Sequence, residues 1–314
     1  MMTIRTDLAL EAQEMFVQCS EEKAEKIDGV DSDVTKTGSI TKTKIKILNE
    51  NGEKALGKPK GTYITIEAPE IKYDTEVYEK VCMLLAEEIR EMAKPGSGTK
   101  TLVAGLGNRN ITPDALGPEV ISNLMITNHM KERMADFLSD DISSVCAVAP
   151  GVLGTTGIET SKIIKGIVSQ TNPDLVIAVD ALASRSLDRI STTIQLSDCG
   201  INPGSGVNNK REGLNEETLG VKVISIGVPT VVDAATIASD CIDMVEKSTQ
   251  SRKSNDELRN EMIKNTISQN IGVLMVTPKD IDSVIEKTAK TIANGINLAL
   301  HKNLTFEEIE SFVG

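Results

Sequence analysis

The chain has 314 residues, 39% hydrophobic and 25% charged, with a formal net charge of -12 at pH 7. That length and balance suit one large α/β domain or two small ones, and the acidic surface speaks against nucleic acid as a direct partner, since phosphate must be neutralised by basic groups. No apolar run approaches the ~18 residues of a membrane span, and the start MMTIRTDLALEAQ has no signal-peptide core, so a cytoplasmic protein with no membrane partner is expected.

From the N-terminus, Leu8 to Phe16 is a short amphipathic stretch that runs into the polar, charged segment SEEKAEKIDGVDSDVTKTG. TKIKILNE and TYITIEA then alternate with period two around the loop NGEKALGKPKG, which predicts a β-hairpin or two neighbouring strands. DTEVYEKVCMLLAEEIREMAK carries apolar residues at helical spacing and stops before Pro95-Gly96. From Thr101 the pattern becomes strand, loop, helix. TLVAGLG, SVCAVAP, DLVIAVDAL, TTIQLS and VKVISIGV read as strands, mostly as continuous apolar runs of the kind parallel strands show when both faces are covered. PDALGPEVISNLMITNHM, IETSKIIKGIVSQ and VVDAATIASDCIDMVEK read as helices. Residues 249–262 read as a polar surface excursion, and VTPKDIDSVIEKTAKTIANGINLAL as a long closing helix with Pro278 near its first turn. The expectation is a three-layer α/β fold, a mostly parallel sheet between helices, with a small additional N-terminal β-hairpin region.

The five cysteines are scattered, odd in number and without a CxxC pair, and read as reduced and mostly buried. The two histidines, His129 and His301, adjoin no acid or nucleophile motif, which argues against triad chemistry and histidine-rich metal sites. Hydrolytic chemistry here would rest on carboxylates.

Two acids lie where ligands bind in open α/β sheets, beyond the carboxyl ends of strands. Asp114 follows TLVAGLG across an Asn-rich loop, and Asp180 closes the apolar run DLVIAVD. The loop at Gly105, Gly107 and Asn108 resembles a phosphate loop, yet puts a carboxylate where an anion would sit. Asp114 also suits a helix N-cap and Asp180 a strand-end hydrogen-bond anchor. Parallel strands bring their carboxyl ends to one sheet edge, where two carboxylates can divide the roles of base and acid or share a divalent metal. Gly154 in APGVLGTTGIET and Gly204 in INPGSGVNNKR belong to loops able to line such a cleft. A nucleotide-binding α/β protein and a metal-dependent peptidase or amidase remain alternatives at this point.

The stretches IRTDLALEA (Ile4–Ala12), GLGNRNITPDALGP (Gly105–Pro118), APGVLGTTGIETSKIIKGI (Ala149–Ile167), PDLVIAVDALASR (Pro173–Arg185), TTIQLSDCGINPGSGVNNKR (Thr192–Arg211) and GVPTVVDAATIASD (Gly227–Asp240) together resemble the spore germination proteases of endospore-forming bacteria. The resemblance implies an endopeptidase that degrades small acid-soluble, DNA-binding spore proteins in the forespore or spore core, with a fold similar to the hydrogenase maturation proteases. It implies an atypical aspartic peptidase whose two essential aspartates match Asp114 and Asp180, with Gly105, Gly107, Asn108, Gly154, Arg185 and Gly204 as active-site loop candidates. No cofactor and no metal are implied, because the histidine that joins the matching carboxylates in the maturation proteases has no counterpart here. The family is a homotetramer made as a zymogen that cuts after an acid in Glu↓(Ile or Phe)-Ala-x-Glu. TDLALE matches with the bond Asp7↓Leu8, giving a propeptide of residues 1–7 and one peptidase domain over 8–314, while Asp7 also suits the N-cap of an amphipathic helix start, a reading compatible with the first.

Overall fold

A computed structural model describes residues 6–19, 27–96, 98–134, 139, 141–203, 212–249 and 274–313. In chain order its elements are α1 (Ala9–Cys19), β1 (Val30–Thr37), β2 (Ile40–Ile47), α2 (Glu50–Leu56), β3 (Gly61–Glu67), α3 (Thr75–Ala93) and β4 (Lys100–Gly105). There follow α4 (Leu116–Ser122), α5 (Asn128–Met134), β5 (Ser144–Val148), α6 (Leu153–Thr156), α7 (Thr160–Thr171), β6 (Leu175–Ser184) and β7 (Thr193–Ser197). The chain closes with α8 (Glu216–Leu219), β8 (Lys222–Asp233), α9 (Ala234–Thr249), β9 (Met275–Val276), α10 (Ile281–Leu300) and α11 (Phe306–Val313).

One sheet carries the strands in the order β1-β2-β3-β7-β8-β6-β4-β5, with β9 on β8. β5, β4, β6 and β8 form the parallel block. The expected N-terminal strand pair is present, and it continues the same sheet: β3 joins β7, and β7 joins β8, both antiparallel. β7 alternates accordingly, with Ile194 and Leu196 in the main core and Thr193, Gln195 and Ser197 on the other face.

The main core lies on one face, where Ile64, Val103, Ile177, Val179 and Ile226 meet Leu85 and Ile89 of α3 and Ile292 and Ile296 of α10. α3 shows why such a helix forms. Val77, Val81, Leu85 and Ile89 recur every fourth residue, the Asp74 side chain accepts the N–H groups of Glu76 and Val77, and Lys94 ends the helix in the left-handed conformation before Pro95. His301, 1% exposed just past α10, accepts the N–H of Ser143 at Nδ1 over 3.2 Å. Burial pushes its pKa down to about 4.

The opposite face has two separate apolar clusters. Leu102, Ala104, Val176 and Ala178 pack with Ile164 of α7 and Leu219 of α8. Ile45, Ile47 and Tyr63 pack with Ala9 and Leu10 of α1 and Leu56 of α2. Gln195, Ser197 and Ser225 belong to neither cluster and are nonetheless buried.

Several expectations need correction. The strand through Asp180 does not end there but runs on to Ser184, still paired with β8. The polar N-terminal stretch contains β1, whose residues beyond Val30 are all exposed and so show no hydrophobic alternation. The loop between β2 and β3 holds α2, capped by Asn49. The helical pattern at 113–130 divides into a 3-10 turn, α4 and α5. Of Cys82, Cys146, Cys199 and Cys241 none is in a disulfide and only Cys82 is fully buried, Cys241 being exposed. The polar excursion at 249–262 lies, beyond Thr249, outside the described residues.

Candidate active site

β4 stops level with β6 at the pair Gly105–Val179, and Leu106 gives its N–H to the Val179 carbonyl over 2.8 Å. Asp180 is therefore the first residue of β6 without a β4 neighbour. It opposes Gly227 on β8, which in turn opposes Gln195 on β7. Directly opposed residues point to one face of a sheet. Asp180, Gly227 and Gln195 thus make a row across three strands, on the face with the divided apolar cover. Asp180 is 6% exposed, and its Oδ1 accepts the N–H of Ala181 over 2.9 Å. A carboxylate this deep is costly unless polar partners surround it.

Asp114 comes to the same end of β4. It closes the 3-10 turn Thr112–Asp114, which packs against both β6 and β8. Its carboxylate turns back to accept the N–H of Asn108 over 2.8 Å. The helix-cap reading does not hold: α4 is entered from Ala115, with no side-chain cap. The loop amide that would receive a phosphate in a phosphate loop is instead bonded to Asp114. Gly107 permits this fold-back, with φ +108 and a position where a Cβ would lie 2.0 Å from the Asp114 carbonyl oxygen.

The predicted cleavage site lies along the part of β6 that β4 leaves uncovered. Val179 faces β4, so Ala183, in step with it, presents its backbone to the same side, now vacant. Asp7 fills that place. Its N–H donates to the Ala183 carbonyl over 2.9 Å, and its Oδ2 accepts the Ala183 N–H over 2.9 Å. Leu8 and Ala9 are each 0% exposed. The Asp7 carbonyl accepts from Lys58 Nζ over 3.0 Å and from Gln195 Nε2 over 3.1 Å, and Gln195 Oε1 accepts the N–H of Ala9 over 2.7 Å. Burial holds the Lys58 pKa below the ordinary lysine value, against the pull of the Asp7 and Glu11 carboxylates. A cavity of ≈ 420 Å³ adjoins the site, with Asp7, Lys58, Leu182, Gln195, Cys199 and Gly227 in its wall.

Glu11, 1% exposed, anchors the segment farther on. Its carboxylate accepts the N–H groups of Arg185 and Ser186 over 2.7 and 3.0 Å and the Thr6 hydroxyl, and the Arg189 guanidinium is 3.3 Å away. Arg189 also forks onto Glu14 and reaches Glu67.

Of the loop candidates, Gly107 and Asn108 lie against Asp114, while Gly105 packs against Gly117 and Ile121. Arg185 meets the N-terminal segment through its backbone, while its side chain pairs with Asp240 at 3.5 Å. Gly154 is exposed in α6, with open space where a side chain would stand. Gly204 lies outside the described residues. The sequence reading missed Lys58, Gln195 and Gly227. Only Gly227 left a signal, as a glycine inside an apolar strand, where the backbone or a neighbour often needs close approach. A Cβ there would lie 2.4 Å from a methyl of Leu182.

The family model for germination proteases matches residues 9–268 and 251–313. The chain is 47% identical to the germination protease of Clostridium tetani over 325 residues, covering 99% of this chain and 100% of that one. It is 48% identical to that of Caldanaerobacter subterraneus, over 99% and 98% of the two chains, and 40% identical to that of a Geobacillus species, over 99% and 97%. Among solved structures, a [NiFe] hydrogenase maturation protease, HycI from Thermococcus kodakarensis, aligns at 17% identity and a TM-score of 0.35, covering 68% of this chain and 98% of that one.

Proposed function

The chain belongs to the germination protease family, and from that premise we propose that it is an endopeptidase of the aspartic type, with Asp114 and Asp180 as its paired carboxylates and its own Asp7–Leu8 bond as first substrate. The observation that carries the reading is the seating of that bond. It is hydrogen-bonded to the stretch of β6 that begins at Asp180, and the residues after it are fully buried.

The chemistry follows from the groups at hand. One aspartate takes a proton from water, the water oxygen attacks the carbonyl carbon of Asp7, and the other aspartate gives a proton to the departing nitrogen of Leu8. Residues 1–7 are the propeptide and 8–314 the peptidase domain. While Asp7 occupies the β6 edge, a second peptide cannot, which accounts for a zymogen. The substrates are small acid-soluble spore proteins, cut after an acid that precedes an aliphatic or aromatic residue and Ala, and the working form is a homotetramer in the spore core.

The test sets the full chain beside a chain begun at Leu8, each with the variants Asp114→Asn and Asp180→Asn, and offers a peptide containing Glu-Ile-Ala-Ser-Glu. Mass spectrometry should find one cut after Glu, faster in the shortened chain and absent from both variants. Normal cutting by a correctly folded Asn variant removes that aspartate from the mechanism. An intact peptide with all chains overturns the peptidase reading of this site.

A further inference from the structure

Two donors from distant parts of the chain converge on a single oxygen, the carbonyl of Asp7. Lys58 approaches from the loop that follows α2 and Gln195 from the middle of β7. Resting on the proposed cut at Asp7–Leu8, we propose that Lys58 and Gln195 are catalytic residues that form the oxyanion hole of this peptidase, Lys58 supplying charge and Gln195 setting the register of the bond.

The step needs such a pair. When water adds to the carbonyl carbon, the electron pair of the C=O bond moves onto oxygen, which becomes an alkoxide. The proton lost by water stays on one aspartate. The alkoxide then reforms the carbonyl, the C–N bond breaks, and the nitrogen of Leu8 takes a proton from the other aspartate, leaving an acid and an amine. One carboxylate takes up the proton from water and the other reserves its proton for the departing nitrogen, so the developing negative oxygen calls for donors of its own. Such donors must be pre-positioned and partly shielded from water. Lys58 and Gln195 meet this at 3.0 and 3.1 Å from the oxygen on which the charge develops.

Each residue has an added reason to be where it is. Lys58 Nζ also bonds the Thr6 carbonyl over 3.1 Å, so the ammonium bridges successive carbonyls and is held in place. Partial burial works against its ammonium form, which the Asp7 and Glu11 carboxylates favour, and it also thins the water between Nζ and the oxygen, so that a donor there acts more strongly. Gln195 grips the chain on both sides of Leu8, donating a hydrogen bond from Nε2 to the Asp7 carbonyl and accepting one at Oε1 from the N–H of Ala9 over 2.7 Å. A shift by one residue would break both bonds. Gly227 keeps the way open, because it sits between Gln195 and Asp180 in the same row and carries no side chain.

The experiment follows self-processing in the full chain by mass spectrometry, where the bond is already seated and the rate reports chemistry without a binding step. Lys58→Met keeps the stem and removes the charge. Gln195→Glu keeps the acceptor for Ala9 and removes the donor to Asp7. Amide exchange over residues 7–19 records whether the segment stays docked. Docked segments with processing slowed about 100-fold or more in Lys58→Met, partly restored in Lys58→Arg, and slowed in Gln195→Glu, are the expected result. Wild-type rates in both variants overturn the oxyanion hole and leave the two aspartates untouched. Slow processing accompanied by an undocked segment in both variants also overturns it, since the pair would then only position the chain. A wild-type chain that never processes, under conditions where the folded state is verified, overturns the cut itself and this inference with it.

Discussion

Replacing Glu11 by Gln should loosen the N-terminal segment while leaving the sheet intact. The Glu11 carboxylate is 1% exposed and accepts two backbone N–H groups, of Arg185 and Ser186, at 2.7 and 3.0 Å. Hydrogen bonds to a charged acceptor are worth about 1.5–3 kcal/mol each. A Gln side chain keeps one oxygen for one of these donors and turns an NH2 group on the other. One charge-assisted bond is lost and one buried N–H is left facing a donor, at a further cost of about 1–3 kcal/mol. The ion pair with Arg189 is lost as well, although Glu14 and Glu67 still hold that guanidinium. The expected loss is on the order of 3 kcal/mol. With no Trp in the chain, urea unfolding is followed by circular dichroism. Amide exchange should speed up over Ala9–Cys19 and change little in β4 and β6. An unfolding free energy within about 0.5 kcal/mol of wild type, the range of an ordinary surface substitution, would refute the assignment of Glu11 as the anchor.

Gly227→Ala places a methyl 2.4 Å from Leu182 and between Asp180 and Gln195. Because Leu182 can rotate, the cost should be about 1–3 kcal/mol in urea unfolding, accompanied by slower self-processing. A variant of unchanged stability and rate would show that the row has room to spare. His301 gives a pH signature. Its folded pKa of about 4 lies below the ordinary 6.5, so the unfolded chain binds the extra proton. Its contribution is fully present above the unfolded value and is lost as pH falls from 6.5 toward 4, by at most about 3 kcal/mol. Urea midpoints across that window should fall less steeply in His301→Gln, and identical slopes would count against the buried neutral imidazole.

What could be read in the sequence is what local pattern determines. α3 announced itself by Val77, Val81, Leu85 and Ile89 and stopped at Pro95, and β4, β5 and β8 by their unbroken apolar runs. The apolar pattern DLVIAVDAL carries β6 only to Leu182, two residues short of Ser184. The strand continues since β8 still pairs with it through Ser184, a tertiary reason that no window of residues contains. β1 was invisible for the opposite reason: its exposed residues owe their conformation to hydrogen bonds with β2 and to no buried face. Asp114 and Asp180 were found as acids after strands, but their surroundings were not. The bonds from Lys58 and Gln195 to Asp7 span 51 and 188 residues of sequence, a separation over which neither residue type carries a recognisable pattern.

The contacts of Thr6, Asp7 and Glu11 with β6 and its neighbours are all made within one chain. Tethering in this way makes the local concentration of the leader at the cleft a property of chain geometry, independent of how much protein is present. On the proposed cut at Asp7–Leu8, the step is unimolecular. An added substrate then has to exceed the effective concentration of the tethered segment before it competes for the cleft. Raising the supply of copies leaves the occupancy of the cleft within each chain unchanged, whereas a change in the fold around Asp7 alters it directly.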